Sequence, residues 1–96
     1  MKLLFILIPS DCLEACEKCF ESAHVHAYTE VPNVMGAGKS GRKLGTRAFP
    51  GTTSLVMLAI PEGEVEKVLA TMKEFCKGRA CEKETRIFAV PADQLV

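Results

Sequence analysis

The sequence predicts an α+β sandwich whose elements follow the order β-α-β-β-α-β, and three observations carry that expectation. Two runs, KLLFILI at 2–8 and TTSLVMLAI at 52–60, are apolar at successive positions. Two segments, 12–22 and 62–76, repeat their apolar residues at the helical period of 3.6. The runs 24–31 and 85–90 have strand character, and prolines or glycines separate the elements. That order is the split βαβ, or ferredoxin-like, arrangement: a four-stranded antiparallel sheet with two helices on one face. A chain of 96 residues fits a single domain spanning 1–96, with room for a small core.

Strand one, ended by Pro9, is continuous enough in Leu, Ile and Phe to be a central strand buried on both faces. Ser10 or Asp11 caps the first helix, expected from about 12 to 22, with Leu13, Cys16, Phe20 and Ala23 on its inner side and Cys12 and Cys19 flanking them. From 24 to 31, Val25, Ala27, Thr29 and Val31 alternate with His24, His26, Tyr28 and Glu30, so a second strand is expected there, interrupted by Pro32. A glycine-rich basic loop over 36–51 leads to strand three at 52–60. Pro61 and Glu62 open the second helix, whose inner stripe is Val65, Val68, Leu69, Met72, Phe75 and Cys76, and Gly78 stops it. A loop, KGRACEKE, precedes strand four, which Pro91 ends.

A sheet covered by helices on one side should alternate, yet strands one and three do not. The second face therefore needs a cover, and copies of the same chain are expected to supply it. Net charge is zero, which gives no overall electrostatic drive toward nucleic acid or an anionic membrane. The opening MKLLFILIPSDC has an apolar run of only six residues and no small-residue cleavage pattern, so a cytoplasmic protein without membrane insertion is expected.

Charge is nonetheless local. Lys39, Arg42, Lys43 and Arg47 fall between Gly36 and Gly51 with no acidic residue among them. GAGKS resembles the end of a phosphate-binding P-loop, but Asn33 occupies the first glycine position. The adjoining GRKLGTRAFPG cannot form the first turns of a helix. Two readings stay open: a solvated hairpin loop, or an anion site in which Gly36, Gly38 and Gly41 present backbone N–H groups and Lys39 and Arg42 supply charge.

Residues 29–41, TEVPNVMGAGKSG, resemble the end of strand two and the start of the large loop in PII signal-transduction proteins, whose strand carries T-E-V and whose loop carries G-x-G-[RK]-x-x-G. RIFAVP at 86–91 is similar to that family's K-I-F-x-x-P. The resemblance implies a homotrimer that senses small anionic metabolites, ATP, ADP or AMP, in clefts between subunits. It implies a large loop that signals to a protein target such as a transporter or enzyme. It also implies that Gly36, Gly38 and Lys39 approach phosphates, that Ser40 stands where the family has a glutamine, and that Arg86 replaces a phosphate-contacting lysine. The family's T-G-x-x-G-D-G-K turn is replaced by RACEKETR and the large loop is shorter, which points to a divergent member; no serine nucleophile, paired carboxylates or cofactor fingerprint forms a catalytic constellation, so no enzymatic activity is expected.

Five cysteines suit a reducing compartment as thiols. Cys12, Cys16 and Cys19 match C-x3-C-x2-C but fall along a helix face, where buried thiols and a metal cluster are the alternatives. Cys76 and Cys81 flank a glycine stop and are redox candidates, with metal binding and independent thiols as alternatives; Lys77 and Arg79 nearby would favour a thiolate. His24 and His26, expected on one strand face with Glu30 further along, are either metal ligands or an ordinary polar edge. The alternative function is thus a metal-binding or metal-tolerance member using His and Cys.

Overall fold

The computed structural model describes residues 1–38, 41–48 and 50–96. Four strands form one antiparallel sheet: β1 (Lys2–Pro9), β2 (Thr29–Val34), β5 (Thr53–Ile60) and β6 (Arg86–Pro91), in the spatial order β2-β5-β1-β6. A separate two-stranded hairpin joins β3 (Gly36–Gly38) to β4 (Gly41–Lys43). The helices α1 (Leu13–Ser22) and α2 (Val65–Cys76) provide the second layer, and a short α3 (Cys81–Glu84) lies where a loop is expected from the sequence. The α+β ferredoxin-like expectation holds, with β1 central between β5 and β6.

The core lies between sheet and helices. Leu4, Ile6 and Ile8 of β1 and Val56, Leu58 and Ile60 of β5 are buried against Cys16, Cys19, Phe20, Val68, Met72 and Cys76. Both helices present these residues at helical spacing, so apolar burial rather than capping fixes their position; neither helix has a side-chain N-cap hydrogen bond.

Neighbouring strand residues point to opposite faces. Leu3, Phe5 and Leu7 therefore face away from the helices, and the register sets Val90, Phe88 and Met57 beside them. Phe88 is 55% exposed, Val90 40% and Val31 39%. The unbroken hydrophobicity of β1 and β5 is thus divided between a buried core face and an open apolar face.

Strand two departs from the sequence expectation at both ends. Residues 24–28 are not strand. His24 instead takes φ 60° and closes α1: its N–H donates to the Glu21 carbonyl and the Val25 N–H to the Phe20 carbonyl at 2.8 Å. This paired bonding is a Schellman motif with His24 in the left-handed position usually given to glycine, completed by Val25 packing on the core. At the other end β2 continues through Pro32 to Val34. It does so because it is an edge strand and because a register shift between Val31 and Val34 takes up the irregularity. Asn33, at φ 56°, is part of that bulge.

Candidate functional site

Beneath the hairpin, a knot of short polar side chains fixes the exit of β2 and the entry of β5. The Ser54 hydroxyl, fully buried, lies 2.9 Å from the Ser10 hydroxyl and accepts from the Asn33 N–H at 3.3 Å. Thr52 Oγ1 is 2.7 Å from Ser10 Oγ and 2.9 Å from Asn33 Oδ1, and the Ser10 N–H donates to the Thr52 carbonyl. These contacts satisfy polar groups at the end of the sheet and aim the β3–β4 hairpin over it.

On the opposite side, α3 is held by its own sequence. Gly78, at φ 75°, turns the chain out of α2, and its N–H donates to Glu82 Oε2 at 2.5 Å. The Arg86 guanidinium donates from Nη1 to the carbonyls of Lys83 at 2.7 Å and Thr85 at 3.0 Å, which satisfies the end of α3. Lys43 Nζ on β4 meets Glu84 Oε1 on α3 at 3.0 Å, both side chains being partly buried.

Between hairpin and α3 lies a cleft of about 460 Å³, floored by Leu7 and Thr53 and walled by Gly36, Ala37, Gly38 and Gly41 on one side and Lys83, Glu84 and Arg86 on the other. Its volume falls within the range of small-molecule sites. Gly36, Gly38 and Gly41 leave open space where a side chain would stand, so ligand atoms can approach the backbone directly. Of the expected anion-site residues, Gly36, Gly38, Gly41 and Arg86 line this cleft, Arg42 sits on β4 opposite Ala37, and Lys39 and Ser40 lie outside the described residues. The segment 41–43 is a strand rather than the helix that a P-loop requires at that point.

Lys43, Lys83 and Glu84 were not singled out by the sequence as cleft residues. The charge run around Lys43 was a legible signal, but α3 carries no periodic apolar pattern long enough to be read as a helix.

A model of the family described as Nitrogen regulatory protein P-II matches residues 1–96 of the chain. The chain belongs to the P-II family. Solved structures similar to this P-II protein include CPII, a nitrogen regulatory PII-like protein from Thiomonas intermedia K12. Bound to ADP, AMP and bicarbonate, CPII gives a TM-score of 0.73 at 23% identity, over 93% of this chain and 82% of that one. Its complex with ADP and bicarbonate gives 0.72 at 24% identity, over 93% and 82%. The apo form gives 0.67 at 21% identity, over 93% and 85%. No curated protein matches the sequence. The likeness to CPII establishes the shared fold, and the family is a regulatory one.

The metal candidates are dispersed in this P-II protein. His24 is engaged in the helix cap and its ring centroid is 6.5 Å from that of His26, and neither histidine lies in a strand. Glu30 pairs in register with buried Val56, which turns it toward the helix side of the sheet, where it meets Glu17 of α1. Among the described residues no three potential ligands converge on a metal position.

Burial, followed by the shared proton and charge of Glu17, raises the Glu30 carboxyl above the usual carboxylate range, and among the described residues Glu30 Oε1 has no hydrogen-bond partner. Because the folded-state pKa is raised, the folded protein holds this proton more tightly than the unfolded chain. The resulting stabilisation is complete below the ordinary glutamate pKa and is lost as pH rises through the raised value. Glu30→Gln should therefore raise the melting temperature at about pH 7.5 by more than at about pH 4. Thermal unfolding across that range checks it; an equal shift at both ends would contradict the assignment.

The cysteines behave mainly as core. Cys16 is buried, with its thiol pushed up to about 12 by burial first and by neighbouring thiols next, and its sulfur lies 3.8 Å from Met72 Sδ. The Cys81 thiol is raised, not lowered, by burial and by Cys76 beside it; it also meets Cys12. Arg79, expected to favour a thiolate, stacks over the Phe75 ring at 4.3 Å instead.

Proposed function

We propose that this P-II protein is a non-enzymatic cytoplasmic regulator of one PII-like domain. It acts as a homotrimer that binds an adenine nucleotide, ATP, ADP or AMP, in a cleft completed by a neighbouring subunit. The observation that carries the reading is the cleft itself: a glycine-walled hairpin faces Lys83 and Arg86 across a space of ligand size, with Lys43 at its rim. Glycine backbone left open to a ligand on one wall and cations on the other favour a phosphate-bearing ligand. The open apolar sheet face supplies the surface on which subunits assemble. The ligands of CPII, ADP, AMP and bicarbonate, make the same small anions the first to test.

Occupation of the cleft shifts the population of β3–β4 hairpin positions, and the shifted hairpin engages a protein target such as a transporter or enzyme. The thiols Cys76 and Cys81 fit a structural role better than a redox step, because both are buried in the core, and burial raises the Cys81 thiol, which slows its reaction. Metal binding through His24, His26 and Glu30 is the weaker alternative, since Glu30 faces Glu17.

The test is titration calorimetry of the purified oligomer with each nucleotide, alongside Arg86→Ala. Micromolar binding is expected, weakened roughly tenfold or more by the substitution, in proportion to one lost charge-assisted contact. Absence of binding by all three nucleotides would overturn the reading.

A further inference from the structure

We propose that Glu84 sets the charge selectivity of the cleft, so that the site favours nucleotides of low negative charge and resists polyphosphates. The inference rests on the reading of the cleft as a phosphate site. Glu84 is the one carboxylate among the described residues lining it, and its partner Lys43 belongs to the opposite wall. The pair joins β4 to α3 at 3.0 Å, with the two side chains 22% and 32% exposed, so its charges are only partly screened by solvent.

The two members differ in freedom. Glu84 ends α3, whose carbonyls are held by Arg86 and whose first turn is tied to Gly78 through Glu82. Lys43, the last residue of β4 at the base of the hairpin opposite Gly36, carries its charge at the end of a long, flexible side chain. A phosphate entering the cleft therefore draws Lys43 away, and Glu84 stays behind as an unpaired carboxylate facing the ligand. The repulsion it then exerts grows with the number of negative charges on that ligand. It is smallest for AMP, larger for ADP and largest for ATP. The carboxylate thus opposes the same ligand charge that Lys43, Lys83 and Arg86 attract.

Calorimetric titration of wild-type and Glu84→Gln protein with AMP, ADP and ATP, each free of divalent metal, tests the proposal. Glutamine keeps the size of the side chain and removes its charge. The expected result is a graded gain, on the order of threefold for AMP and thirtyfold for ATP, that contracts in high salt. Glu84→Asp, retaining the charge, should preserve the wild-type order of affinities. An equal gain for all three nucleotides, or a uniform loss, would overturn the charge-selectivity proposal while leaving nucleotide binding intact. Failure of the wild-type protein to bind any of the three would overturn the nucleotide reading and this proposal with it.

Discussion

Phe88→Asp should convert the assembled protein to monomers that remain folded. Phe88 stands beside Phe5 on the sheet face away from the helices and is 55% exposed in the isolated chain. Its replacement therefore removes little from the core of the subunit. In an oligomer whose sheets face one another, the same position is enclosed by apolar neighbours. An unpaired carboxylate there costs roughly 3 kcal/mol or more for each subunit, about a hundredfold or more in association constant. Sedimentation velocity measures the mass and circular dichroism the fold. A wild-type monomer, or an unchanged oligomer in the variant, would show that this face is not the interface. The variant also ties assembly to function, since a cleft completed by a neighbouring subunit should lose nucleotide affinity together with the oligomer.

Phe20→Ala is expected to have the largest effect on the fold itself. Phe20 is the bulkiest fully buried side chain among the described residues, 1% exposed, and its ring packs at a tilt against Tyr28 with centroids 4.9 Å apart. Its carbonyl also accepts the Val25 N–H in the cap that ends α1. Emptying this position costs about 3–5 kcal/mol as lost burial and residual cavity. That is a large share of the ~5–15 kcal/mol that holds such a domain together. The melting temperature should fall by roughly 12 °C or more at about 4 °C per kcal/mol. Phe75→Ala is the comparison. Phe75 is only partly buried and already shares its ring with Arg79, so it should lose markedly less. Equal losses at the two positions would mean that the core is not centred where α1 meets the sheet.

The main elements were legible because burial dictates them. The apolar runs 2–8 and 52–60 and the spacing of Cys16, Phe20, Val68 and Met72 admit few arrangements, and the failure of alternation in the central strands already announced a second apolar face. Gly78 marked the end of α2 because a left-handed residue is required there. His24 gave no such signal. A histidine between alternating residues reads as strand, and only the pairing of Val25 with Phe20 shows that it closes a helix. Pro32 read as a strand end because the sequence does not say which strand lies at the sheet edge, where proline is tolerated.

The candidate site divides in the same way. Its glycines and the excess of positive charge between 36 and 51 were determined by the sequence alone, since local flexibility and local charge do not depend on the fold. Which charges face each other did depend on it. Lys43 and Glu84 are far apart in sequence, and the antiparallel sheet brings the hairpin after β2 to the same end as the turn before β6. Glu30 was similarly moved from a supposed metal face to the helix side by its register with Val56. Sequence determined the elements, the core and the chemistry available to the loop; tertiary structure decided the opposing partners, because contacts between distant segments exist only once the sheet has fixed their register and order.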